Sequence, residues 1–153
     1  MKLLTLTQTL LLIFLLNCLP EFVHGEHQTS RESGFVALSV ADHDGMVDWY
    51  IKVLGYQLIS RGENAERTGS LLRRGDDLLE IASFSNSEHD KREAHLVHGI
   101  MKFGYVVSDI NVRFDTLKDQ AEVFFPVVSA SGGYQTFAIR DPEGNIIQFF
   151  QAP

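Results

Sequence analysis

The chain has 153 residues, is 44% hydrophobic, and carries 13 basic against 20 acidic side chains, a formal net charge of -7. That length and apolar fraction suit one globular domain with its own core. The acidic balance argues against a broad nucleic-acid or anionic-membrane surface. There is no Gly-rich phosphate loop, no G-x-S-x-G elbow and no nucleic-acid motif.

Residues 1–25 read as an export signal. Lys2 supplies a short positive region, and Leu10–Leu16 an apolar run too short for the about 18 residues a bilayer span needs. Val23-His24-Gly25 places a small residue just before a cleavage point after Gly25. The expected localisation is secreted or periplasmic, without a stable membrane span. The alternatives are an uncleaved anchor and a lipoprotein built on Leu15-Leu16-Asn17-Cys18, where Asn17 is a poor fit before a lipidated cysteine. Cleavage would remove Cys18, the only cysteine, and with it any disulfide, thiol nucleophile or Cys-based metal site.

Residues 26–34 are polar and read as a leader. Phe35–Ala41 alternates as a strand, Val36, Leu38 and Val40 on one face and Phe35, Ala37 and Ser39 on the other. Asp42–Asp44 can cap a helix whose apolar stripe runs Met46, Val47, Trp49, Tyr50, Val53, Leu54, closed by Gly55. Trp49 and Tyr50 fit core and rim better than ligand stacking, and His43 fits the cap region. Three strands follow at Tyr56–Arg61, Ser70–Arg74 and Leu78–Phe84, with a polar loop at Glu63–Gly69 and a turn at Gly75-Asp76-Asp77. Residues 85–100 read as a polar linker. There His95-x-x-His98 could share a helical face and bind metal, but surface histidines are the commoner case.

The order then repeats. Met101–Ser108 is a strand, Asp109 caps a helix from Ile110 to about Gln120, and Glu122–Val128 is a strand. Tyr134–Arg140 and Asn145–Gln151 form a hairpin about Asp141-Pro142-Glu143-Gly144-Asn145, where Pro142 sets φ and Gly144 and Asn145 tolerate positive φ. FVALSVAD at 35–42 aligns with KFGYVVSD at 102–109, and Glu80 with Gln148, so residues 35–84 and 101–153 are two copies of strand–helix–strand–strand–strand.

Those segments, with WYIKVLGY at 49–56, LLEI at 78–81 and RDPEGNIIQF at 140–149, resemble the vicinal oxygen chelate superfamily of glyoxalases, bleomycin-resistance proteins and extradiol dioxygenases. The resemblance implies an α+β fold in which two βαβββ modules form a curved mixed sheet around a cup. It also implies a divalent metal in those members that use one, held from the first and last strand of each module. Mapped onto this chain, the ligand positions are Phe35, Glu80, Lys102 and Gln148. Phe35 has no donor atom, and Lys102 would have to lose its proton. Two oxygens are too few for a tight site, so a divalent metal is disfavoured and no cofactor is expected.

By alternation Phe35, Ala37, Ser39, Glu80, Ala82, Phe84, Lys102, Gly104, Gln148 and Phe150 would line the cup. Small Ala37, Ser39, Ala82 and Gly104 leave room, while Phe35, Phe84 and Phe150 supply apolar wall. The expected pairing is Glu80 with Lys102 across the cup, the ammonium standing for the metal's charge and Gln148 bonding one of them or a ligand. The pair reads equally as part of a ligand site or as a salt bridge without function. Arg73, Arg74 and Arg140 could meet an anion at the rim, though solvated arginines are usual.

Two functions stand at this point. The first is a small-molecule-binding module with a degenerate metal site, with a homodimer among the arrangements its relatives adopt. The second is a lyase, isomerase or dioxygenase using Glu80 as its catalytic base. Pairing with a cation stabilises the carboxylate and weakens that base. A scaffold with a vestigial pocket is the third, bland option.

Overall fold

A computed structural model of the chain describes residues 33–87 and 99–153. The export signal at 1–25, most of the leader and the His95/His98 pair lie outside those residues. The first module comprises β1 (Phe35–Ser39), α1 (His43–Leu54), β2 (Gln57–Glu63), β3 (Arg67–Arg74) and β4 (Asp77–Phe84). The second comprises β5 (Phe103–Val106), α2 (Ile110–Leu117), β6 (Glu122–Ser129), a 3₁₀ turn (Ser131–Gly133), β7 (Gln135–Arg140) and β8 (Ile146–Gln151). Among the described residues no helix is long and apolar enough to cross a membrane.

Each module forms its own four-stranded mixed sheet, ordered β1-β4-β3-β2 and β5-β8-β7-β6. The first strand of each runs parallel to the last, because a helical crossover separates them, and the remaining neighbours are antiparallel. The two sheets are open rather than closed into a barrel.

The helices begin and end where their polar residues can satisfy free backbone groups. Asp42 accepts from Gly45 N at 3.0 Å and Asp109 from Asn111 N and Val112 N, both at 3.0 Å. Gly55, at φ 78, closes α1, its N–H donating to the Ile51 carbonyl while the Tyr56 N–H takes the Tyr50 carbonyl. α2 stops at Leu117, short of the expected Gln120, because the Leu117 carbonyl accepts from both Gln120 N and Ala121 N and turns the chain.

Alternation sets one face of each sheet against the helices. Leu72, Leu79, Ile81, Phe137, Ile139, Ile147 and Phe149 are fully buried there, with Met46, Tyr50 and Leu54 of α1 packed on them. Phe137 stacks on Phe149 at 4.7 Å between ring centroids.

One expectation fails in a way that matters below. β3 begins at Arg67, not Ser70, so the polar stretch read as a loop is half strand. The turn is compact because the Asn64 carboxamide oxygen accepts from Glu66 N and Arg67 N, both at 2.9 Å.

The modules meet through the 141–145 turn. Asp141 is 4% exposed and takes Glu143 N, Asn145 N and Asn145 Nδ2 from its own turn, and the Tyr50 hydroxyl of α1 at 3.0 Å. Glu143 then accepts from Ala41 N and Asp42 N at 2.8 Å each, ahead of α1. At a second junction the Tyr56 and Tyr105 hydroxyls lie 2.5 Å apart, and the Arg74 guanidinium sits 3.9 Å from the Tyr105 ring centroid. Burial pushes both hydroxyls above the usual tyrosine range.

Burial likewise pushes the Asp141 carboxyl above its ordinary 3.8, against the four hydrogen bonds that pull it down. The folded state thus keeps this proton over a range where the unfolded chain has released it. Stability from this group is fully present below about pH 3.8 and is lost as pH rises through the folded value. Asp141→Asn should cost about 1–3 kcal/mol through unsatisfied donors. Its deficit against the native chain in urea unfolding should widen as pH falls from 7 towards 4. A deficit that stays constant or narrows contradicts the burial argument.

Candidate functional site

The sheet faces turned away from the helices carry the residues expected to line a cup. In the first module Ala37 stands opposite Glu80 and Ser39 opposite Ala82. Phe35 and Phe84 lie at strand ends and are 58% and 44% exposed.

The sequence predicts that Glu80 pairs with Lys102, and the structure contradicts this. Its carboxylate is bound by the guanidinium of Arg67. The cross-strand neighbour of Glu80 is Leu71 and that of Arg67 is Phe84, so the arginine runs back along β3 to reach the carboxylate. It does so over Gly69, where a Cβ would fall 2.9 Å from the guanidinium carbon. Arg67 also lies 5.7 Å from the Phe84 ring centroid. Lys102 is exposed and sits one residue before β5.

The second module is built differently. Gln148 is 6% exposed, in the middle of β8. Its Nε2 donates to Thr136 Oγ1 at 2.8 Å, and that hydroxyl donates to the Phe149 carbonyl at 2.7 Å. The carboxamide oxygen of Gln148 is buried and has no hydrogen-bond partner among the described residues. Beside it lies a cleft of about 280 Å³ lined by Lys102 and Phe103 to Val106 from one side and Gln148 and Phe150 from the other. Gly104, expected to leave room in a cup, is needed for another reason: a Cβ there would collide with the Gln148 backbone carbonyl. Phe150 meets Tyr134 edge-on at 6.4 Å.

These four positions do not fit the metal that the resemblance implies. Phe35 offers carbon, Lys102 a cation, and Glu80 is already neutralised by Arg67. Among the described residues no three His, Cys, Asp or Glu side chains converge as a metal-binding group.

Two of the three arginines expected at a rim have structural partners. Arg74 donates to the Leu54 carbonyl at 3.3 Å and faces Asp77 at 3.7 Å. Arg140 donates to the Gly144 carbonyl at 3.0 Å and lies 4.4 Å from the Phe124 ring centroid. Arg73 is exposed. A larger cleft of about 410 Å³, at the ends of β3 and β4, is a loop crevice whose Asn64, Ser85 and Ser87 side chains bond nearby backbone.

Arg67 and Thr136 were missed from sequence. The signal for Arg67 was the β3–β4 register: extending the hairpin past Ser70 places it on Glu80's face. The signal for Thr136 was its place in the strand paired with Gln148's.

Two open mixed sheets, each with its first strand parallel to its last and a helix across one face, are the paired βαβββ architecture. Residues 33–149 match the Glyoxalase/Bleomycin resistance protein/Dioxygenase superfamily, and the chain belongs to that family. A glyoxylase/bleomycin resistance protein/dioxygenase domain from Frankia sp. EAN1pec is similar in structure with a TM-score of 0.69 at 16% identity, over 80% of this chain and 98% of that one. A glyoxalase family protein from Enterococcus faecalis gives 0.69 at 18%, over 79% and 98%. TioX from Micromonospora sp. ML1 gives 0.60 at 20%, over 80% and 99%. Among curated proteins none matches the chain.

Gly104→Ala should separate β5 from β8 at the cleft and cost about 1–3 kcal/mol by chemical denaturation, as overpacking does. Ala37→Gly, at the matching position of β1, should cost no more than about 1 kcal/mol. Equal effects at the two positions would refute the close approach at Gly104.

Proposed function

We propose that this chain is an exported, metal-free small-molecule-binding domain of the family, with its ligand in the cleft between β5 and β8. The observation that carries the reading is the buried, unpartnered carboxamide oxygen of Gln148 beside that cleft. A buried acceptor without a donor is costly in the free protein, and a ligand's N–H or O–H removes the cost. Apolar walls with a few convergent polar groups are the usual form of such sites.

The metal-free part rests on Arg67. Its guanidinium supplies, from within the chain, the positive charge that a cation would bring to Glu80. The same contact counts against the enzymatic reading, because the carboxylate that would serve as base is already held by the guanidinium. Export rests on Lys2, Leu10–Leu16 and Gly25. A second copy would find Phe35 and Val106, 58% and 76% exposed, as apolar groups to cover.

The test is metal content after chelator-free purification, followed by thermal shift with zinc, nickel, manganese and iron(II). The native protein should hold no stoichiometric metal and gain no stability from any of the four. Arg67→Ala should lose at most about 1 kcal/mol, since both partners are about one-third exposed. A stoichiometric ion that disappears in Glu80→Ala would overturn the metal-free reading and move the enzymatic one ahead.

A further inference from the structure

The junction of Tyr56, Tyr105 and Arg74 holds more donors than acceptors, and Arg113 of α2 adds to the imbalance. Tyr105 and Phe149 are register partners on β5 and β8, with ring centroids 5.6 Å apart. A guanidinium rests on each ring. Arg74 lies 3.9 Å from the Tyr105 centroid, and Arg113 lies 5.4 Å from that of Phe149. Arg74 also lies 5.2 Å from the Tyr56 centroid. Two cations, one from each module, thus approach one pair of adjacent rings.

Their compensation is incomplete. Arg74 gives one bond to the Leu54 carbonyl and faces Asp77 at 3.7 Å. Among the described residues Arg113 forms no ion pair. Its Nη2 is buried and has no hydrogen-bond partner among those residues. The Phe149 ring attracts the guanidinium but supplies no oxygen acceptor. Burial, and after it the Arg74 charge, lower the Arg113 guanidinium below its ordinary 12.5. The Tyr56–Tyr105 hydrogen bond uses one phenolic proton and leaves the other to donate outward. Two guanidiniums stand here against the single carboxylate of Asp77. Surplus positive charge with N–H and O–H donors is the complement of an oxygen anion.

We propose that this junction binds a small oxyanion of the phosphate or sulfate class, held by Arg113 and Arg74 together. Donors from three side chains call for at least three acceptor oxygens, which such an ion has and a carboxylate lacks. Arg74 belongs to β3 of the first module and Arg113 to α2 of the second, so the ion ties the modules to each other. This site lies on the helix side of the sheets. It is separate from the cleft of Gln148 and does not depend on the binding function proposed above.

The experiment follows thermal unfolding of the full-length protein, first freed of phosphate and sulfate by dialysis. Sodium phosphate, sulfate, acetate and chloride are compared at pH 7 and equal ionic strength. Phosphate and sulfate should raise Tm by about 3 °C and saturate, with acetate weaker and chloride without effect. Arg113→Met should abolish that gain. In chloride the same variant should unfold no lower than the native chain, because it removes a buried charge that lacks a counter-ion. A guanidinium that served only to pack on Phe149 would lower Tm in all four salts when removed. Lys102→Met, which removes a cation outside the junction, should leave the gain intact.

A native protein that gains no stability from phosphate or sulfate overturns the site. A gain that survives Arg113→Met, or that disappears in Lys102→Met, puts the ion elsewhere and overturns its assignment. Acetate as effective as phosphate overturns the ligand class. An Arg113→Met chain that fails to fold, or unfolds lower than native in chloride, shows a guanidinium already compensated and overturns the argument from charge.

Discussion

The buried carboxylate of Asp141 is the contact on which the arrangement of the two modules depends. It takes three donors from its own turn, which fixes the turn, and a fourth from Tyr50, which fixes the turn on α1. Glu143 can then reach Ala41 N and Asp42 N at the start of the same helix. Without the Asp141 oxygens the turn would have buried N–H groups with nowhere to donate, and β7 and β8 would lose the connection that sets their register. The cleft inherits its geometry from this, because Thr136 and Gln148 are diagonal neighbours within hydrogen-bond reach only in that register.

On that common frame the modules diverge. Ala37 faces Glu80 as Gly104 faces Gln148, so the backbone repeats. The side chains do not. In the first module a charge is present and compensated from within, by an arginine that lies along its own sheet over Gly69. In the second the polar group is neutral, and its compensation is left half complete: donor satisfied, acceptor open. A carboxylate could not have been left that way, since a buried unpaired charge is far costlier than an unpaired amide oxygen. The neutral Gln148 is therefore suited to be the open position and Glu80 to be the closed one.

Much of the fold was legible because it depends on local rules. The caps at Asp42 and Asp109, the stop at Gly55, the turn at 141–145 and the alternation of β4 and β8 all act within a few residues of chain. The site was less legible because its contacts join strands. Arg67 sat in a stretch whose Asn, Glu and Gly composition resembles a loop, and only the Asn64 turn shows how short the loop is. The assignment of Lys102 to Glu80 followed from treating four aligned positions as one cluster. The structure divides them by module, with Glu80 taken by a neighbour on β3 and Lys102 beside Gln148. The polar residue inside β8 stood out in sequence, but its meaning did not, because the direction of its amide is set by a hydroxyl on another strand.

The Arg67–Glu80 contact also bears on how a side chain of the protein can stand where a cation would meet a carboxylate. Replacing one ligand by Phe35 or Lys102 removes donors but leaves Glu80 as a half-buried carboxylate short of a cation. Arg67 removes that difficulty, its guanidinium lying over Gly69. A guanidinium tethered to the sheet cannot be exchanged, withdrawn by a chelator or replaced by a different ion, so the first module's polar site is fixed in a way a metal site never is. The carboxamide oxygen of Gln148 is one of four buried side-chain polar atoms without a partner among the described residues, with His43 Nε2, Ser70 Oγ and Arg113 Nη2.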